Sequence, residues 1–158
     1  MIANFCAATV PAWADERMTP LAVSGSWVAM AHQSGMTAAP DVCIAANPIQ
    51  HVGLRADSDG VELRISDEKW SLPTDVQGSI VINIGSWNAK VDISANTGQT
   101  VAALIPNDVL HAMFSAMDKA AVMSVVVGNS EPRAVSLAGS SKATKCPSGN
   151  ILCGMCRL

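Results

Sequence analysis

Tyrosine is absent and phenylalanine occurs only twice, so even with four tryptophans the aromatic share is 4%. Stacking platforms for bases are therefore scarce. The 10 Lys and Arg never gather into a basic stripe, so the chain lacks the electrostatic footprint of a nucleic-acid binder and no nucleic acid is expected as partner. Charge of either sign is sparse, at 15% of residues with a formal net charge of -3. No run reaches the roughly 18 uninterrupted apolar residues that a membrane-crossing helix needs, so no transmembrane segment is expected. Catalytic motifs are missing as well. No two glycines stand four apart, which rules out G-x-S-x-G, and H-E-x-x-H, the P-loop and G-x-G-x-x-G do not occur. No cofactor is expected.

What is present is apolar: 49% of 158 residues, too much for disorder. A chain of this size buries roughly 68 to 70% of its unfolded surface, enough for a core without staples. The organisation expected is one β-rich domain over residues 15–145, preceded by a distinct segment and followed by a tail. In residues 1–14, Ile2 to Val10 is small and apolar, Pro11 breaks it, and Ala12-Trp13-Ala14 gives the small-x-small pattern read by signal peptidase. A positively charged n-region is missing. That leaves two readings, the end of a truncated signal peptide or a buried N-terminal strand or helix. The first is the expectation, and it places the protein in the periplasm or secreted.

Strand patterns dominate the middle of the chain. Ser26 to His32 alternates, Val42 to Ala46 is a short apolar run between Pro40 and Pro48, and residues 33–41 read as a surface loop. Val52 to Ala56 and Val61 to Ser66 flank Asp57-Ser58-Asp59-Gly60, whose Asp-Gly pair suits a tight hairpin turn. Period-two alternation turns Val61, Leu63 and Ile65 to the core and Glu62, Arg64 and Ser66 to water. Trp70 and Leu72 are expected to continue that edge. Ser79 to Ile84 and Ala89 to Ser94 make a further pair.

Between Thr100 and Leu137, strand, helix, strand and strand signals follow one another. Pro106-Asn107-Asp108 offers a fixed φ, a cap and an acidic first turn. Val109, Met113, Ala116, Met117 and Ala120 then fall on one stripe, widened by Leu110 and Phe114, which predicts a helix over about 107–121 packed on the sheet. Val122 to Gly128 and Arg133 to Leu137 return to strand, and Ser140 to Lys145 starts a short helix. The fold class expected is mainly β, an antiparallel β-sandwich or partly open barrel with one main amphipathic helix.

Candidate chemistry is limited. His32 and His51, with Asp57 and Asp59 in the hairpin turn, are the residues from which a metal-dependent or other hydrolytic site would be built. They share no short ligand spacing, and the Asp-x-Asp-Gly turn lacks the rest of a calcium loop. His111 sits beside the helical stripe as a half-exposed packing residue. Met113, Met117, Met123, Trp27, Trp70 and Trp87 suit either an apolar ligand groove or core filling, with core filling the stronger reading. Cys153 and Cys156 form a C-x-x-C within three residues of the C-terminus, a candidate for metal or thiol exchange that reads better as part of a structural tail. In an oxidising compartment Cys43 is expected to pair with Cys146. Closing a loop of about 100 residues contributes roughly 4.7 kcal/mol in the entropy model.

At Arg133-Ala-Val-Ser-Leu-Ala-Gly-Ser-Ser-Lys-Ala the chain resembles the end of exported α-proteobacterial proteins related to the invasion-associated locus B family. Those proteins carry a late apolar strand V-S-L-x-G-[FS] followed by a short helix, commonly with a phenylalanine and a closing cysteine. Lys145-Cys146-Pro147 departs from that, which marks residues 146–158 as a tail foreign to the domain. The resemblance implies a periplasmic or envelope β-sandwich that binds an unidentified protein or small-molecule ligand, and it names no catalytic residue. The expected function is a non-enzymatic binding or interaction module; the alternative is a small exported hydrolase.

Overall fold

The computed structural model describes residues 18–32 and 40–145. The expectations placed on residues 1–14, on most of the 33–41 loop and on residues 146–158 fall outside these.

Among the described residues the chain forms eleven strands: β1 Thr19–Ser24, β2 Trp27–His32, β3 Val42–Asn47, β4 Val52–Asp57, β5 Gly60–Ser66, β6 Ser79–Ile84, β7 Trp87–Asp92, β8 Ala95–Asn96, β9 Thr100–Ile105, β10 Val122–Val127 and β11 Arg133–Ser136. Helix α1 spans Asn107–Met117 between β9 and β10, and α2 spans Ser140–Thr144. The strands form a seven-stranded sheet ordered β1-β2-β3-β4-β5-β9-β8 and a four-stranded sheet ordered β11-β10-β6-β7, with every pairing antiparallel. The protein is mainly β and sandwich-like, with no closed barrel among the described residues.

Period two decides which face is inside. In β5, Val61, Leu63 and Ile65 are buried while Glu62, Arg64 and Ser66 lie on the other face, as expected. Ile80, Ile82 and Ile84 of β6 and Met123 and Val125 of β10 supply the opposing wall. The outer face of the large sheet carries an ion-pair network in which Arg55 pairs with Asp57 and Arg64 with Glu62 at 2.7 Å. Both pairs are half-buried and still reached by water, so each stabilises by about 1 kcal/mol.

Helix α1 differs from expectation in three respects. It ends at Met117 rather than near residue 121: Asp118 N–H still reaches Phe114 O at 3.0 Å, but Lys119 N–H closes on Ala116 O at 3.1 Å, a tighter turn that stops the helix. No side chain caps its start, and Pro106 occupies the cap position. Its buried face is Leu110, Met113, Phe114 and Met117, with Val109 and Ala116 only partly covered, so the stripe is rotated toward Leu110 and Phe114.

The strands differ from expectation as well. The β6–β7 turn needs only Gly85-Ser86, since Gly85 takes φ 58°, and β7 therefore begins at Trp87 rather than at Ala89. Trp70 and Leu72 do not extend β5. A turn closed by Trp70 N–H on Asp67 O at 3.1 Å takes the chain out of the sheet. Strands β1 and β8, absent from the sequence reading, lie at the two edges of the large sheet, where one-sided pairing leaves a weak sequence pattern.

Candidate functional site

The residues singled out for hydrolytic chemistry are spread over the large sheet. His32 ends β2 and pairs with Asp41, Nδ1 to Oδ1 at 2.5 Å. Asp57 and Asp59 lie at the same end of the sheet, but two strand spacings away, about 10 Å. Asp57 is engaged by Arg55 and accepts the Asp59 N–H at 2.9 Å, a hydrogen bond that shapes the hairpin turn. His51 sits at the opposite end of β4, in the turn after β3, where it is exposed and takes φ 54°. Its backbone carbonyl accepts Ser66 N–H at 2.9 Å. Among the described residues no three His, Cys, Asp or Glu side chains are grouped to hold a metal ion. His111 is exposed on α1. Cys43 is 1% exposed on the core face of β3. No disulfide occurs among the described residues, and Cys146, Cys153 and Cys156 lie outside them.

The methionines and tryptophans divide. Trp27, Met113, Met117 and Met123 fill the core, whereas Trp70 and Trp87 are only partly buried and line depressions. Around Trp87 a depression of about 390 Å³ opens between the β6–β7 turn and α1, with Lys119, Ser86 and Ser115 on its walls.

Trp70 lines the better furnished cleft, of about 330 Å³. Its apolar floor is Ile65, Val125 and Val127, and its rim is the β10–β11 turn with Ser130, Glu131 and Pro132. Arg133, the first residue of β11, lies with its guanidinium carbon 5.7 Å from the Trp70 ring centroid. The same guanidinium donates to Ser66 O at 2.7 Å, to Gln50 O at 3.4 Å and to Asp67 Oδ2 at 2.7 Å. Asp67 in turn accepts Lys69 N–H through Oδ1 at 2.9 Å. Arg133 thus ties the end of the large sheet to the first residue of β11 while facing a cavity. A planar guanidinium fork suits that double duty, since it fixes several acceptors at once.

Sequence reasoning missed Asp67, Glu131 and Arg133. No periodicity links positions 67, 70 and 131–133; the cleft exists because the turn after β5 and the β10–β11 turn meet at one end of the sandwich. The pairing of Asp and Arg around a half-exposed Trp is visible only after the sheets are assembled.

Comparison with family models, with curated proteins and with solved structures found no match. Among the described residues no helix is long and apolar enough to cross a membrane.

Proposed function

We propose that the protein is an exported binding module of the periplasm or envelope, without catalysis of its own, and that its ligand occupies the Trp70–Arg133 cleft. The observation that carries this reading is the fixation of the cleft's charged groups. Arg133 and Asp67 are held by each other and by backbone groups, so they present a preset polar surface to a ligand. The cleft volume of about 330 Å³ falls in the range of small-molecule sites. Export is supported by the small-x-small pattern before Asp15 and by the resemblance of Arg133 to Ala143 to the invasion-associated locus B proteins, of which the chain would be a distant relative.

Two experiments test the reading. Alkaline phosphatase fused after the domain is active only outside the cytoplasm, so an inactive fusion would remove the export claim. Tryptophan fluorescence titrated with chemically distinct small ligands should respond to at least one class, and that response should be lost in Trp70→Ala. A protein that responds to none would contradict the binding claim.

The alternative, a small exported hydrolase, is favoured by one observation, the His32–Asp41 pair at 2.5 Å, which has the geometry of a base with its orienting carboxylate. It requires that His32→Ala abolish hydrolysis of a small ester.

A further inference from the structure

We infer that the ligand class of the Trp70–Arg133 cleft is a neutral, hydroxyl-rich ring, that is, a saccharide unit; this rests on the binding reading above.

Trp70 offers a flat apolar plate, partly exposed, at the edge of an apolar floor. A sugar ring has a C–H face that covers such a plate and hydroxyls around its rim that both donate and accept. Beside the plate stands a matched pair, Asp67 and Arg133, joined at 2.7 Å. Arg133 has five N–H donors, and its three hydrogen bonds to Ser66, Gln50 and Asp67 leave two for a ligand among the described residues. Each Asp67 oxygen accepts one hydrogen bond and has capacity for another. Donors and acceptors are therefore preset side by side, as a hydroxyl requires.

Charge argues against the other classes. The lining holds Asp67 and Glu131 against Arg133, a formal balance of -1, so an anion would meet repulsion. A cation would meet the like charge of the Arg133 guanidinium, whose carbon lies 5.7 Å from the Trp70 ring centroid. A wholly apolar ligand would strip water from the ion pair without replacing its hydrogen bonds, which is costly. A neutral polyhydroxyl ring avoids all three penalties.

The full chain is titrated by isothermal calorimetry, whose signal does not depend on tryptophan, with glucose, galactose, maltose, cellobiose and dextran, with succinate and spermidine as charged controls, in a Trp87→Phe background that alters the other depression. The expected result is saturable binding of at least one neutral saccharide, at least tenfold weaker in Trp70→Ala. Binding should weaken severalfold in Glu131→Gln, whose exposed rim position leaves the fold intact, and Trp70→Phe, which keeps the packing with a smaller plate, should fall in between. Tighter binding of dextran than of maltose assigns the ligand to a glycan surface, and equal or weaker binding assigns it to free sugars. Trp70-dependent binding of succinate or spermidine without any saccharide response would overturn the inference and leave the binding reading standing. No Trp70-dependent response to any ligand would overturn both.

Discussion

Gln50 stands beside Ser136 as a neighbouring strand would: its side-chain oxygen accepts the Ser136 N–H at 2.7 Å, and its amide nitrogen donates to Ala134 O at 3.0 Å. Ser136 O is taken by the Trp27 indole N–H at 2.7 Å and by Asn47 Nδ2 at 3.4 Å. One residue before Ala134, Arg133 reaches Ser66 O and Gln50 O; two after Ser136, Ala138 O accepts Ser26 N–H at 3.2 Å. The outer edge of β11 is thus zipped to the large sheet by side chains from β2, from β3 and from the turn after β3. An open edge of this kind is otherwise a template for aggregation.

Gln50→Ala removes the partner of the part-buried Ser136 N–H and the acceptor of the Asn47 side chain, which is fully buried, while the exposed Ala134 C=O can turn to water. Each unsatisfied group costs about 1–3 kcal/mol. Chemical denaturation should report a loss of about 2–3 kcal/mol with an unchanged denaturant slope. A loss below roughly 0.5 kcal/mol, the range of ordinary surface substitutions, would show that the seam contributes little.

The seam also has a backbone clasp. Gly25 and Gly139 sit so close that a Cβ on Gly139 would lie 1.7 Å from Ser24 O, and one on Gly25 would lie 2.2 Å from Ala138 O, with φ 91° and 57° respectively. Backbone cannot yield as a side chain can. Gly139→Ala is expected to cost more than about 4 kcal/mol. Gly85→Ala, at φ 58° with no atom within 4 Å of its Cβ, should cost only about 1 kcal/mol. Thermal unfolding of the two variants side by side measures the difference, and equal losses would refute the clasp.

How legible was this in the sequence? Hairpin arms with local partners were: Val52 to Asp57 against Gly60 to Ser66 follows from alternation and an Asp-Gly turn, and β6, β9 and β10 begin where their β-branched runs begin. Helix α1 was legible in its type and start but not in its end, because the stripe runs on to Ala120 while the backbone already tightens at Lys119, whose N–H turns to Ala116 O. The cleft was not legible. Asp67, Trp70, Glu131 and Arg133 belong to turns and a strand end brought together by sheet packing, and such contacts leave no period. Arg133 to Leu137 did stand out in the sequence, and it is the stretch whose backbone carries most of the seam.

Ser140 opens α2 with a hydroxyl that is buried and has no hydrogen-bond partner among the described residues. Ser140→Ala removes a desolvated group and improves helix propensity. Stability should rise by about 1 kcal/mol, measured as a higher denaturation midpoint. A fall would mean that the hydroxyl is used.

Two carboxyls make the fold acid-sensitive. The hydrogen bond from His32 holds Asp41 below the usual carboxylate range, and those from Ser141 and then Lys145 do the same for Asp118. Because the folded-state values are lowered, the unfolded chain binds more protons. The stabilisation is therefore present above the unfolded carboxylate range, about pH 4, and is lost as pH falls through the lowered folded values. Both sites are exposed, so the effect is modest. Denaturation midpoints taken from pH 6 to pH 2 should decline less steeply in Asp118→Asn than in the parent chain; identical slopes would contradict the assignment.

The central claim is that ligand binds at Trp70. Each tryptophan gives one indole N–H signal in a two-dimensional ¹H–¹⁵N spectrum, and assignment by single Trp→Phe variants separates Trp27, Trp70 and Trp87. On adding saturating saccharide, the Trp70 signal should shift, while that of Trp27, bonded to Ser136 O in the seam, stays in place. A shift at Trp87 with Trp70 unmoved, or no indole shift at all, would contradict the account.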